Sequence, residues 1–211
     1  MEYFDLIEKR YSVRKFTQDE VKKEDLEKMI KAAGIAPSGK NRQDWHFVIV
    51  RNKEIIKKMG ETVKTRVQNI SEHLSKEEAD NFIKFNRFSS FFEDAPVVVC
   101  VYAKDYIPEG FEEMTAARDD KSNIDRLFYA KPGIQGVGAA IENLILAAFD
   151  LGYGACWMTN PNNSAIMLED LLGYKDEESK KLLAIVPIGV PAGEKRSPKK
   201  KELSEIATWI D

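Results

Sequence analysis

"GIQGVGAAIENLILAAFDLGYGACWMT", residues 133–159, carries the pattern that decides the fold. Its first twenty residues are helix-length and apolar on nearly every side, with small residues at the start. Such a helix is buried rather than laid on a surface. Its glycines, Gly133, Gly136 and Gly138, do not have the G-x-G-x-x-G spacing that follows a strand in dinucleotide-binding turns, so they read as close-packing positions. "GACWMT" then reads as a strand ending at Thr159 and Asn160, where Pro161 breaks the pattern.

The rest of the chain supplies what such a helix needs around it. "PVVVCVYA", residues 96–103, is a continuous β-branched run, as expected for a strand covered on both faces. "WHFVIV" (45–50) and "LLAIVPIGV" (182–190) are two further strands. Residues 2–9 read as a short amphipathic helix carrying Phe4 and Ile7. "EDLEKMIKAAG" places Leu26, Met29, Ile30 and Ala33 at helical spacing, with Gly34 just past the helix end. Residues 52–74 read as a mostly exposed helix. Ser75 and Glu78 stand at capping-box spacing for another. Residues 163–173 form a short helix with Asn163 or Ser164 as N-cap. Residues 104–130 read as loop with some helix, and the tail is basic, then amphipathic. The order of elements is α+β around a small sheet of four or five strands. Strands separated by helices of this length pair either way. No Pro/Gly/Ser-rich linker divides the chain, so residues 1–211 read as a single domain.

Composition narrows the function. Charged residues make up 32% of the 211, yet the net charge is −3. A chain built to coat nucleic acid carries a clear basic excess, and none is present. No apolar run approaches the ~20 residues that span a bilayer, so no membrane partner is expected. "MEYFDLIEKR" lacks the basic start and apolar core of a signal peptide, which makes the cytoplasm the expected compartment. Cys100 and Cys156 sit in strand-like runs and read as small buried hydrophobes. With only His46 and His73 besides, they make a poor metal set, and no metal is expected.

Four polar clusters stand out. In "RYSVRKF", Arg10, Ser12 and Arg14 alternate around Tyr11 and Val13, so an extended chain puts all three on one face. Two guanidinium forks and a hydroxyl suit a phosphate; a solvated charged strand edge looks the same. In "APSGKNRQDW", Pro37, Ser38, Gly39 and Asn41 suit close backbone approach to a ligand, or an ordinary turn. Thr159 and Asn160 offer strand-end amides. The run "EKRSPKKK" is either a second phosphate contact or solvated surface. No Walker loop and no nucleophile elbow is present. Groups that suit phosphate and heterocycle binding, without catalytic side chains, point to a cofactor that carries the chemistry.

In this order the clusters resemble the nitroreductase family of FMN-dependent oxidoreductases. The resemblance runs from "RYSVRKF" through "APSGKNRQDWHFV", "EDAPVVV" and "GAAIENLILAAFDLGYGACWM" to "IGVPAGEKRSPKKKELSEI". It implies a small, mostly antiparallel sheet surrounded by helices in an intertwined homodimer, with FMN at the subunit interface. Arg10 and Ser12 match the phosphate-holding positions and Arg14 the basic position near the flavin pyrimidine edge. Pro37, Ser38, Gly39 and Asn41 match the loop that the partner subunit lays against the flavin. Thr159 and Asn160 match the strand end near N5 and O4, and Lys199 and Lys200 match the tail's phosphate contacts. Where the family usually has Pro after the loop's Gln, this chain has Asp44. The resemblance implies no catalytic side chain. NADH or NADPH delivers two electrons, and a nitroaromatic, quinone or similar small acceptor takes them by a ping-pong mechanism. Other readings are a dehalogenase-like or flavin-fragmenting branch of the same fold, and a flavin-binding storage or redox-sensing protein without turnover.

Overall fold

The apolar helix and the all-buried strand find each other in the tertiary structure. The computed structural model describes residues 2–174, 176, 179–193 and 199–210. In chain order the elements are α1 (Tyr3–Lys9), α2 (Lys23–Gly34), β1 (Trp45–Val50), α3 (Lys53–Ser71), α4 (Lys76–Asn86), β2 (Val97–Ala103), α5 (Phe111–Ala116), α6 (Lys121–Tyr129), α7 (Pro132–Asp150), β3 (Gly154–Ala155), α8 (Ala165–Leu172), β4 (Lys181–Gly189) and α9 (Leu203–Ile206). Among the described residues the strands form one sheet in the order β1-β2-β4-β3, antiparallel throughout.

Strand β2 lies between β1 and β4, and all seven of its residues are buried. Alternate side chains leave a strand on opposite faces. Val97, Val99 and Val101 therefore join Ala184, Val186 and Ile188 of β4 in a core with α2 and α7, packed by Met29, Val137, Ile141 and Leu144. Val98, Cys100 and Tyr102 face the other way, into a core closed by Ile56, Met59 and Val63 of α3 and Leu168 of α8. The sheet is thus the middle of three layers. Each fully buried Val, Leu, Ile or Met contributes roughly 1.5–3 kcal/mol over an exposed one.

Several helix ends follow their local signals. Asn52 caps α3 by accepting from the Glu54 and Ile55 amides, and Ser75 and Glu78 close a capping box on α4. Three expectations shift. In α1 it is Leu6 that is buried, while Phe4 and Ile7 are exposed. Gly34 is the last helical residue of α2 rather than the cap, and Ile35 ends the helix. The "GACWMT" strand is broken: β3 covers only Gly154–Ala155, and pairing resumes at the Met158–Ile185 bridge. The stretch Lys121–Asp150 has the length and apolar composition of a membrane span. It is broken at Ala130 and Lys131, and α7 puts its apolar side chains into the core.

The Cys100 thiol is fully enclosed, and burial pushes its pKa up to about 12. The unfolded chain gives up this proton near pH 8.5. Below that pH the group leaves stability unchanged; above it the unfolded chain gains, and stability falls until the folded thiol also ionises. One such group gives a slope of at most about 1.4 kcal/mol per pH unit. In urea titrations at pH 8 and pH 11, Cys100→Ala is therefore expected to start less stable and to lose less than the wild type between the two pH values.

Candidate functional site

The segment after α1 is pinned in extended form along the broken edge of the sheet. The Val13 amide donates to the Ala155 carbonyl at 3.0 Å, the Thr17 amide to Val190 at 2.9 Å, and the Ala192 amide to Lys15 at 2.9 Å. Val13 and Phe16 point inward and are buried. Arg10, Ser12 and Arg14 take the other face, as the alternation predicts. All three groups act on the same thiol, that of Cys156. Burial raises its pKa, while the Arg14 charge, the Ser12 hydroxyl and the Arg10 charge pull against that rise.

The two arginines are held differently. Arg10 stands 3.6 Å from the Glu142 carboxylate on α7. Arg14 is exposed; its guanidinium reaches the Ser12 carbonyl at 3.3 Å, and among the described residues no carboxylate pairs with it. An unpaired guanidinium beside a hydroxyl and a second cation fits a doubly charged phosphate.

The strand end is set by a bulge. Between Val101 and Tyr102 the register of β2 on β4 slips, leaving Leu183 without a partner in β2. Its carbonyl accepts instead from the Asn162 side chain. That bond ties down the turn Asn160–Ser164, so exposed Thr159 and half-buried Asn160 sit at a fixed strand end. Trp157, left out of the broken strand, lies over Gly138: a Cβ there would stand 3.3 Å from the indole.

The loop of residues 37–41 lies elsewhere. Ser38 packs against Gly136, whose Cβ would meet it at 3.4 Å. Gly138 and Glu142 are one turn apart and share a face of α7. Gly136 precedes Gly138 by two residues, about 200° around the helix. So the Arg10–Trp157 cluster and the Ser38 loop flank nearly opposite sides of α7. The chain brings Arg10, Ser12 and Arg14 together and keeps Pro37, Ser38, Gly39 and Asn41 apart from them.

Lys199 and Lys200 are exposed, and Lys199 pairs with Glu202 at 3.2 Å. No bond joins either lysine to the arginine cluster among the described residues. Residues 194–198 of the basic run lie outside the described residues. Sequence reasoning missed Trp157 and Asn162 as site-shaping residues. Trp157 carried a signal, a lone large aromatic inside a run of small residues; Asn162 had none, because its partner is a bulge carbonyl 21 residues away.

An antiparallel four-stranded sheet between helical layers, with an arginine–serine cluster on its edge and a small-residue loop across the central helix, defines an α+β protein with a split polar site. The chain belongs to the nitroreductase family, whose model matches residues 7–190. It is similar to the crystal structure of a BluB-like flavoprotein from Clostridium difficile 630, with 42% identity, a TM-score of 0.92 and full coverage of both chains. It is also similar to iodotyrosine deiodinase 1 of Mus musculus, 29% identical over 99% of this chain and 70% of that protein. A nitroreductase with bound FMN from Bacteroides fragilis NCTC 9343 shares the fold, with a TM-score of 0.68, 22% identity and full coverage of both chains.

Gly154 is the floor on which Val13 rests. A Cβ there would stand 2.8 Å from Val13 Cβ and 2.9 Å from the Pro191 ring. Overpacking of this kind costs about 1–3 kcal/mol. Gly154→Ala is expected to lower the urea midpoint without changing the slope, since the surface exposed on unfolding stays the same.

Proposed function

We propose that this chain is an FMN-dependent oxidoreductase that works as a homodimer, passing two electrons from NADH or NADPH to a small conjugated acceptor such as a nitroaromatic or a quinone. The observation that carries the reading is the split site. A cationic cluster that suits a phosphate and a small-residue loop that suits a flat ring stand on opposite flanks of α7, so two copies are needed to make one complete site. Membership of the nitroreductase family and the bound FMN of a fold neighbour support the choice of cofactor.

In this reading the whole chain is one domain. Arg10, Ser12 and Arg14 hold the phosphate, and Arg14 also sets a fixed positive charge near the ring system. Thr159 and Asn160 present backbone to the ring edge. Pro37, Ser38, Gly39 and Asn41 of the partner copy cover it. FMN supplies two-electron transfer; the chain's residues bind, orient and shield it. Lys199 and Lys200 reach the phosphate by rearrangement of the tail. Exposed Phe4, Ile35, Trp209 and Ile210 support the dimer, since large apolar residues left in water favour a partner surface. The two unpaired buried thiols, Cys100 and Cys156, suit a reducing compartment, and we place the protein in the cytoplasm.

A second reading, reductive dehalogenation, is favoured by the likeness to iodotyrosine deiodinase over 99% of this chain. Iodide release from 3-iodo-L-tyrosine by the reduced protein separates the two, since a quinone or nitroaromatic reductase leaves that compound intact.

The purified protein is expected to be yellow, with one FMN per chain on chromatography of the released flavin; FAD or no flavin after reconstitution overturns the reading. Arg14→Ala is expected to weaken FMN about 10- to 100-fold in a fluorescence titration, the worth of one hydrogen bond to a charged group. With one ring face serving donor and acceptor in turn, double-reciprocal plots at several acceptor concentrations should be parallel. Intersecting lines would mean that both substrates are bound together.

A further inference from the structure

The loop expected to cover the flavin is strained, and something outside it must hold it. Lys40, Asn41 and Gln43 all adopt left-handed backbone, with φ of 52°, 55° and 52°. None is glycine, and a Cβ disfavours that region; such residues persist only where their surroundings over-determine them. The loop closes two backbone bonds of its own, from the Asn41 amide to the Ser38 carbonyl at 3.0 Å and from the Arg42 amide to the Gly39 carbonyl at 3.1 Å, and two bonds through side chains. Ser38 Oγ accepts from the Gln43 amide at 3.0 Å, and the Gln43 side chain reaches the Asn41 carbonyl at 3.4 Å. Both side-chain bonds are exposed to competing water.

Besides the packing of Ser38 on Gly136 of α7, the contacts that reach residues 39–43 come from the strand-to-helix segment that follows β2. The Arg42 guanidinium lies over the Tyr106 ring, 4.3 Å from its centroid, and the same group gives its edge to the buried Asp44 carboxylate at 3.0 Å. The Tyr106 hydroxyl rests against Gly39, where a Cβ would stand 2.5 Å away. Lys40 and Glu109 form an ion pair across the same gap. Between loop and segment lies a cavity of about 360 Å³, bordered by Arg42, Tyr106, Pro108 and Leu127. Residues 104–110 are anchored in turn: Lys131 pairs with Asp105 at 3.4 Å, and Gly133 at the start of α7 packs on the Lys104 carbonyl.

We infer that Tyr106 and Arg42 form a clasp that holds residues 38–43 in the shape offered to the flavin and acceptor, which makes both positioning residues for the reaction. This rests on the proposed function only for the identity of what the loop faces; the clasp itself is a property of the chain. Arg42 suits the task because a planar guanidinium stacks on a ring and pairs through its edge at once, whereas an ammonium does one or the other. The ring, not the hydroxyl, supplies the stacking, so Tyr106→Phe should keep the clasp and Tyr106→Ala should open it. Lys40–Glu109 is an exposed pair and contributes little to holding the loop closed.

Two measurements on the full chain test this. In flavin-free protein, trypsin cleavage after Lys40 and Arg42 is expected to be about 2- to 30-fold faster in Tyr106→Ala than in wild type or Tyr106→Phe, the range that a cation–π contact commands. Equal rates in all three proteins overturn the clasp, whatever the flavin result. In flavin-loaded protein with menadione as acceptor, Tyr106→Ala and Arg42→Lys should raise the KM for acceptor and for nicotinamide by a similar factor, because both use the face that the loop covers, with the limiting rate kept and Tyr106→Phe behaving as wild type. A loss of limiting rate with both KM values unchanged would mean general damage to the fold and would also overturn it. Failure of the wild type to bind FMN sinks the proposed function alone, because the cleavage comparison still decides the clasp.

Discussion

Burial of helix α7 is the constraint on which the rest of the structure depends. A nineteen-residue helix that is apolar on nearly every face cannot be covered by one sheet surface. The sheet takes Val137, Ile141 and Leu144, and α2 and α1 pack alongside. Glycines at its start allow close approach, with Gly133 against the Lys104 backbone and Gly136 against Ser38. Even so, Leu146 and Ala147 remain half-buried, bordering a groove with Tyr3, Leu6 and Ile35. A helix that the chain cannot finish covering is also the axis across which the candidate site is split.

The two halves of the candidate site flank α7 but are held by different means. The arginine–serine cluster is held by sheet-like backbone bonds at Val13, Lys15 and Thr17, so its precision comes from regular structure. The loop half relies on side chains, a guanidinium stacked on a tyrosine and a buried carboxylate. A proline there would restrict backbone without needing partners. Asp44 needs Arg42 to satisfy its buried charge, and this brings Arg42 into reach of Tyr106. Asp44 thus couples the loop to the segment after β2, a coupling that a proline has no means to make.

The second face of the sheet contributes stability and one piece of site geometry. Cys100, Tyr102 and Ile185 fill it against α3 and α8. The bulge that re-aims Leu183 toward Asn162 belongs to the same strand pair, and a bulge next to a site is a common way to aim a turn. On the other side of β4 the Cys156 amide donates to the Pro187 carbonyl at 3.4 Å, Trp157 lies over Gly138, and the arginine cluster acts on the Cys156 thiol.

The sequence by itself determined the elements, the α+β class and the family. Each rests on local chemistry: the β-branched run at 97–103, the helical spacing of Leu26, Met29 and Ala33, the capping box at Ser75 and Glu78, and the alternation that puts Arg10, Ser12 and Arg14 on one face. Local periodicity reports which residues share a face, but not what meets that face. So Leu6 rather than Phe4 or Ile7 turned inward, because α7 lies on that side of α1. Gly34 stayed helical, because Ile35 ends the helix without a left-handed residue. The ladder at 154–158 is interrupted because Pro187, opposite Cys156, has no N–H to give back, and the antiparallel order was chosen by packing on both faces of the sheet. Only the tertiary structure decided that Asn162 serves Leu183, that Tyr106 meets Arg42, and that the two halves of the site stand on opposite flanks of one helix. These pairings join residues far apart in the chain, and no local pattern carries their partner's address.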